Sequence, residues 1–384
     1  MKLNRMNRAG SVLLTLGLAL AMGCDMGPQP PEPPPDSDVL VDLAPEDRVS
    51  LVSGFAWDPE AFFYHSQTCA MWIGGGGPCP IPSLINLGIP QFNGSTLGGA
   101  QVMLFDPLAG SPLPRAPAVG DNGGVWKMSG IPARSDVPFF PFTVGAPTLG
   151  EASAPPPPGN PPLPPFPPPP TGAYLPTFTM RPVATNYGAC HFVEAAQLSN
   201  SGVVEAVARK LTAEGRTMSP EDLITPGKAG GLTVFWLFSP EGEPLGRTPA
   251  SNVTLEASSG RVFNLDWKSP MGPLTDAERA LLSRRGFLVT NASTSPIGLV
   301  AVFHEPMPPG PPGPPNNVTY QLVDPSPMNP AQGRPFQYMP VRAPAVPGAV
   351  AYGSINVRGW SDPSLPPPPP PPPSESFRFL CLPQ

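Results

Sequence analysis

Side chains that could do acid–base or metal chemistry are few and widely spaced in this sequence of 384 residues. The three histidines, His65, His191 and His304, stand alone in the sequence. A zinc-peptidase motif H-E-x-x-H is excluded at His304-Glu305, because Pro306 interrupts any helix there. No G-x-S-x-G nucleophile motif occurs. We therefore predict no catalytic residues, no metal and no cofactor, and we expect no enzyme unless distant residues assemble a site.

Cysteines offer a second kind of chemistry, and the sequence has five of them. With Cys24 set apart, an even number remains, which outside the cytoplasm favours disulfides with three possible connectivities. We prefer a Cys69–Cys79 bridge, because the glycine run between the two can bend freely, and Cys190–Cys381 then follows by elimination. A zinc site is the weaker alternative, since no C-x2-C pair occurs and no histidine lies at ligand spacing.

The first 23 residues have the features of an export signal. A basic start is followed by an apolar run from Ser11 to Met22, which is too short to span a bilayer stably, and by small residues before Cys24. The segment resembles the signal peptide of bacterial lipoproteins. That resemblance implies cleavage after Gly23 and acylation of Cys24 with diacylglycerol and usually a third chain. An ordinary secretory signal that contains a cysteine is the alternative.

A lipid anchor at Cys24 predicts a protein outside the cytoplasm, on the periplasmic face of a membrane or on the cell surface. Each buried methylene of an acyl chain contributes about 0.8 kcal/mol, so several chains hold a protein without a transmembrane helix. No other apolar run approaches 18 residues. We expect a soluble body that a proline-rich tether, residues 24–37, connects to the membrane.

Composition favours an exported protein with rigid extended segments. Proline accounts for 66 residues, and charged residues make up only 13% of the chain. Proline tracts at 28–35, 155–170, 306–315 and 366–373 are typical of polyproline II conformation. The formal net charge of −6 comes without a basic cluster, which argues against nucleic acid as a partner. Envelope proteins or glycans are the partners that we expect.

An internal repeat suggests two related domains, residues 38–197 and 198–384. The segment 98–107 is similar in sequence to 230–240, and the pattern of both predicts short apolar strands. A shared pattern G-x-P-L-x-R-x-P-A follows at 110–118 and 242–250, and a third pair of matching strands lies at 123–128 and 260–265. Short strands separated by Gly, Pro and Asn turns predict a mainly β chain with two tandem Ig-like β-sandwiches.

The first repeat also resembles a known family. Its motifs are Val52-Ser53-Gly54, then Gly99-Ala100-x-Val102-x-Leu104, Asp121-Asn122-Gly123-Gly124-Val125-Trp126 and Gly130-Ile131-Pro132-Ala133. In this order they are similar to the carboxypeptidase regulatory-like, or transthyretin-like, domain over residues 50–145, and more weakly over 230–305. The resemblance implies a seven-stranded sandwich that serves as an accessory or display module without catalytic residues. An insertion at 57–96 departs from the family spacing.

Helices are expected to be few and to lie in the second half. A capping box that starts at Thr275 predicts a helix of ten residues that ends at Gly286. Apolar periodicity predicts a helix over Val203–Ala213, and a further turn begins at Ser219. We expect these helices to pack over an edge or end of the second sandwich.

Two functions follow from these features. We favour a structural or protein-interaction role at the cell envelope. The alternative is a module that binds carbohydrate, in which tryptophan rings stack on sugar faces. Trp126 and Trp236 lie in repeated strands and are expected in the core. Trp72 and Trp360, which we place in glycine- or proline-rich loops, are the candidate binding residues.

Overall fold

The computed structural model describes residues 49–72, 94–151, 168–238, 251–306, 317–323, 328–329, 334–335 and 340–356. They belong to the second of two units in the chain, which begins at Val49. The predicted signal peptide and tether lie outside the described residues. So do Cys24, Cys79, Trp360, Cys381 and most of the four proline tracts.

The described part of the chain is mainly β with three α-helices, which confirms the predicted fold class. The helices are α1 (Pro59–Trp72), α2 (Val203–Ala213) and α3 (Asp276–Leu281), and a 3-10 helix spans Glu221–Leu223. The strands are β1 (Val49–Trp57), β2 (Leu97–Gly98), β3 (Gln101–Asp106), β4 (Ser111–Pro112), β5 (Ala118–Val119), β6 (Val125–Pro132), β7 (Arg134–Val144), β8 (Thr148–Leu149), β9 (Thr177–Thr179), β10 (Val183–Thr185), β11 (Cys190–Phe192), β12 (Ala195–Ala196), β13 (Gly231–Phe238), β14 (Thr254–Ala257), β15 (Arg261–Trp267), β16 (Phe287–Val289), β17 (Leu299–His304), β18 (Asn317–Val323), β19 (Met328–Asn329), β20 (Arg334–Pro335), β21 (Val341–Pro344) and β22 (Val350–Asn356).

One sheet of eleven strands contains strands from both predicted repeats. Its order is β16-β15-β17-β13-β22-β9-β7-β3-β4, and β10 and β5 pair with β7 and β3. Strand β22 makes the connection, because Val350 pairs in parallel with Leu232 of β13 on one side and with Thr177 of β9 on the other. The division into domains at 197/198 stays a prediction, and this central sheet crosses it.

Two of the three repeated segments are strands in both halves, β3 and β13 for the first and β6 and β15 for the last, while residues 242–250 lie outside the described part. In each half the first repeated strand pairs antiparallel with a strand that follows the last repeated one, β3 with β7 and β13 with β17. The last repeated strands differ, because β6 pairs with β1 in a separate sheet whereas β15 pairs with β17 in the central sheet. The predicted turns use glycine at positive φ, at Gly124 (φ 76°) and Gly260 (φ 94°).

Alternation along the central strands produces two apolar faces. On β13, Leu232, Val234 and Trp236 face a core that includes α2, while Phe235 and Leu237 face the small sheet β14-β18-β21. A third core lies between the β1 sheet and the first-half strands of the central sheet. Small sheets thus cover the central sheet in each half, in sandwich fashion.

The helices differ from the prediction in three respects. Helix α2 has the predicted bounds but covers a face of the central sheet rather than an edge, because its apolar side chains join the core of β13 and β17. Helix α3 has the predicted capping box but ends at Leu281, since Leu282 is extended (ψ 127°). Helix α1 was not predicted, and it lies in the first half within the insertion at 57–96.

Candidate functional site

A cluster of charged side chains lies buried where α1, α2 and the segment after α3 meet. It consists of Asp58, Glu60 and Arg285, whose side chains are at most 1% exposed, together with Tyr174. Arg285 Nη1 donates to Asp58 Oδ2 at 2.6 Å and to Glu60 Oε2 at 3.1 Å. Asp58 and Arg285 are 227 positions apart in the sequence, so the fold alone creates this site.

Asp58 has its position because it caps α1. Its Oδ1 accepts hydrogen bonds from the backbone N–H groups of Glu60 (2.9 Å) and Ala61 (3.0 Å), and Pro59 occupies the first helical position. The second oxygen, Oδ2, accepts from the hydroxyl of Tyr174 at 2.8 Å as well as from Arg285. One carboxylate therefore starts a helix and binds a buried guanidinium.

Glu60 connects α1 to the start of α2. Its Oε1 accepts a hydrogen bond from the backbone N–H of Val203 at 2.7 Å. The residue before this helix, Gly202, offers no capping side chain, and a Cβ there would lie 2.0 Å from Glu60 Oε2. Glu60 thus caps a helix 143 positions away, in space that only glycine leaves free.

Arg285 is held at both its backbone and its side chain. Its N–H donates to the carbonyl of Ser201 at 3.1 Å, and its Nε donates to the carbonyl of Pro170 at 3.2 Å. Its own carbonyl accepts from the indole of Trp267 at 2.9 Å. Gly286 follows with φ 89° and allows the chain to enter β16. Four segments of the chain, at α1, Pro170, Ser201 and Trp267, therefore meet at this one residue.

Burial controls the titration of this cluster. Burial raises the pKa of Glu60 to about 7, against the opposing effect of Arg285. Burial lowers the pKa of the neighbouring His65 to about 4. Burial also raises the pKa of Tyr174. For Arg285, burial alone would lower the pKa, but the carboxylates of Asp58 and Glu60 raise it.

A second polar cluster lies inside the second-half sandwich. Thr233 Oγ1 lies 3.0 Å from His304 Nε2 and 3.1 Å from the hydroxyl of Tyr320, and the last two atoms are 3.2 Å apart. All three residues are buried. Burial lowers the pKa of His304 to about 4 and raises that of Tyr320 to about 12. The neutral imidazole completes a closed hydrogen-bonded triangle.

Neither cluster is open to a substrate. A general base has to reach the proton that it abstracts, and apart from the half-buried Tyr174 these side chains are buried among packed strands and helices. Within the described ranges, no three His, Cys, Asp or Glu side chains are placed to hold a metal ion. The chemistry that this geometry supports is structural, since each cluster joins separate segments through charge or hydrogen bonds.

A surface cleft of about 460 Å³ lies between α2, the 3-10 helix and α3. Its charged side chains are engaged with one another. Glu205 Oε1 accepts from Arg209 Nη2 at 2.8 Å, Glu205 Oε2 accepts from Arg284 Nε at 3.2 Å, and Glu221 Oε1 accepts from the Asn200 amide at 2.7 Å. A ligand here would have to displace these contacts.

Most of the predicted site residues lie outside the described side chains, and those sites stay predictions. Cys69 and Trp72 lie in α1, so Trp72 ends a helix rather than lying in a glycine-rich loop, and their side chains are not described. Cys190 lies in β11, with its sulfur 3.7 Å from the Ser53 hydroxyl oxygen, and both predicted disulfides stay predictions. Trp126 and Trp236 are buried, as predicted.

Sequence reasoning missed the Arg285 cluster. One local signal was present, since Asp58-Pro59 is the order expected for the cap and first residue of a helix. The pairing of that cap with Arg285 left no signal, because the predicted helix from Thr275 to Gly286 places Arg285 in its last turn, where a cation complements the helix dipole. The structure instead ends that helix at Leu281 and buries Arg285.

No helix among the described residues is long and apolar enough to cross a membrane.

No protein-family model matches the sequence, and no curated protein matches it closely enough to count as a relative. Solved structures with some similarity include the Bacillus anthracis TIE protein, with 8% identity and a TM-score of 0.16 over 80% of this chain and 34% of that one. The match thus spans about a third of the TIE protein. Another is the shaft pilin SpaA from Lactobacillus rhamnosus GG, a double mutant, with 9% identity and a TM-score of 0.17 over 83% of this chain and 99% of that one. Similarities this slight carry no argument about function.

Proposed function

We propose that this protein is a non-enzymatic lipoprotein of the bacterial cell envelope with a structural or protein-interaction role. The observation that carries the proposal is the Arg285 cluster. Its buried carboxylates and guanidinium join α1, the start of α2 and the segment after α3, and they are closed to solvent. Groups that could have served catalysis are used to hold the body together.

The central sheet supports a mechanical role for this body. Strands from both halves are hydrogen-bonded side by side, and β22 pairs on both of its edges. Force applied to one half would therefore be carried by a continuous ladder of backbone hydrogen bonds. A display or assembly module needs such stiffness more than it needs an open pocket.

The anchor is the part of the proposal that rests on sequence. Residues 1–23 would be removed as a lipoprotein signal, Cys24 would carry the acyl chains, and residues 24–37 would tether the body to the membrane. The location would be the periplasmic face or the cell surface. The resemblance to carboxypeptidase regulatory-like domains supports an accessory or display module. Disulfides Cys69–Cys79 and Cys190–Cys381 would suit that oxidising environment.

A native mass spectrum of the protein, extracted in mild detergent from its own membranes, tests the proposal. We expect a mature chain that begins at acylated Cys24, a mass lower by four hydrogens for two disulfides, and a protein partner at fixed stoichiometry. An unacylated chain that begins elsewhere would contradict the anchor. A bound glycan in place of a protein would favour the carbohydrate-binding alternative.

That alternative has little support among the described tryptophans. Trp57, Trp126 and Trp236 are each at most 3% exposed and belong to the cores. Trp267 is partly buried, and its indole N–H donates to the Arg285 carbonyl. Trp72 and Trp360 stay the candidate stacking platforms, and their side chains lie outside the described part of the chain. Trp72→Ala and Trp360→Ala test them directly, since loss of glycan retention at unchanged thermal stability would support the alternative and overturn the structural role.

A further inference from the structure

Helix α1 buries a carboxyl group, Glu60, and an imidazole, His65, five positions apart. Around Arg285, two carboxyl groups share one guanidinium, and all three side chains are at most 1% exposed. With both carboxyl groups ionised, the interior would hold an uncompensated negative charge away from water. One carboxyl group is therefore expected to bind a proton when α1 is docked.

Glu60 is the group that holds this proton. Asp58 accepts four hydrogen bonds, from two backbone N–H groups, the Tyr174 hydroxyl and Arg285 at 2.6 Å. Glu60 has the longer contact with the guanidinium, 3.1 Å, and hydrogen bonds from the backbone of Val203 and Ser199. The charged form of Asp58 is thus the better satisfied of the two.

The buried environment of His65 favours loss of a proton, whereas that of Glu60 favours binding one. The residue is 1% exposed, and neither ring nitrogen has a hydrogen-bond partner within the described part of the chain. Asp58 favours a charged imidazole, but burial and the nearby Arg285 oppose it. The ring of Tyr64, itself neutral, lies 6.0 Å away. His65 is therefore expected to be neutral when α1 is docked.

We propose that docking of α1 exchanges one proton for another with solvent, because Glu60 takes up a proton and His65 releases one. The docked helix then carries a neutral pair, and the undocked helix at mildly acidic pH carries Glu60 ionised and His65 protonated. The number of bound protons is the same in both states. Because the two protonation changes offset each other, docking of α1 does not depend on pH. Either group alone would make it depend on pH.

The sign follows from the two titrations. The pKa of Glu60 is 4.5 in the free chain and about 7 when α1 is docked, so Glu60 makes undocking easier as pH rises through that range. The pKa of His65 is 6.5 in the free chain and about 4 when α1 is docked, so His65 makes undocking harder as pH rises. Each effect is about tenfold per pH unit, and between about pH 4.5 and 6.5 the two cancel.

Hydrogen exchange of the α1 amides in the full chain, corrected for intrinsic rates between pH 5.0 and 6.5, tests the proposal. The wild type should show an opening constant that changes less than about twofold. In Glu60→Gln, the opening constant should fall about tenfold per pH unit as pH rises, and in His65→Phe it should rise by the same factor. His191→Gln, which alters a histidine away from α1, should behave as the wild type.

The proposal is overturned if Glu60→Gln or His65→Phe keeps the wild-type dependence on pH. If Glu60→Gln does not fold, because its amide nitrogen cannot accept from Val203 or Arg285, the carboxyl-carbon NMR titration of Glu60 in the wild type decides. A midpoint near pH 4.5 in the folded protein would contradict a protonated docked Glu60. If His65→Phe does not fold, the ring-carbon NMR titration of His65 in the wild type decides. A midpoint near pH 6.5 in the folded protein would contradict a neutral docked imidazole.

Discussion

Arg285 binds three separate segments of the chain: α1, Pro170 and Ser201, which precedes α2. A buried ion pair is a weak source of stability by itself, because removing charges from water costs about as much as their attraction returns. The buried ion pair instead favours one arrangement of the chain segments over others. Asp58, Glu60 and the carbonyl of Pro170 can all be satisfied by one guanidinium only when their segments are in these positions.

Replacement of Arg285 by methionine should lower the free energy of unfolding by about 3–5 kcal/mol, because two carboxyl groups stay buried without their cation. Arg261→Met is the matched control. Arg261 is half exposed and pairs with Glu214 at the surface, so its loss should cost less than about 1 kcal/mol. Denaturant unfolding of both variants measures the difference, and equal losses would show that the cluster does not hold the fold.

His304 should make the protein acid-sensitive. Its pKa is about 6.5 in the unfolded chain and about 4 in the folded protein. Its contribution is therefore complete above pH 6.5 and is lost as pH falls towards 4. In His304→Gln, the loss of stability between pH 7 and pH 4.5 should be smaller by about 2 kcal/mol. Tyr320→Phe, which keeps the imidazole, should retain the wild-type acid dependence in urea titrations at the two pH values.

At the scale of elements, local patterns predicted α2 well and α1 not at all. The apolar positions of α2 repeat on one face, and those side chains are the buried ones. In α1, the run from Ala61 to His65 is buried all round, so no polar face marks the helix. The repeated strands were visible as short apolar runs. Their neighbours in the sheets were not, because strand pairing depends on contacts that sequence spacing does not report.

The start of α2 should tolerate no side chain at residue 202. Gly202→Ala places a Cβ about 2 Å from the Glu60 carboxylate, so Glu60 has to leave Arg285 or Val203. We expect a loss of about 2–4 kcal/mol. Gly215→Ala, after the end of the same helix, is the control, because its positive φ costs about 1 kcal/mol while the space around it is open. Thermal unfolding that ranks Gly215→Ala as the worse change would contradict the role of Glu60 as a cap.

At the scale of the whole molecule, the repeat and the sheet suggest different units. Two similar segments predict two domains that could fold independently, divided at 197/198. The central sheet instead runs through both segments, and β22, near the end of the described chain, lies between β13 of one half and β9 of the other. A ladder shared in this way should couple the unfolding of the two halves, because neither half can lose its strands without exposing an edge of the other.

A substitution in either half should therefore shift one common transition. Leu104 is buried in the first-half core and Leu299 in the core beneath α2, and Leu→Ala at either position should cost about 2–5 kcal/mol. Fluorotryptophan signals from Trp126 and Trp236 report the two halves separately. In each variant, both signals should be lost at the same lowered denaturant concentration. If Leu104→Ala moves the Trp126 signal and leaves that of Trp236 in place, the halves unfold separately. The repeat, rather than the sheet, would then define the unit of folding.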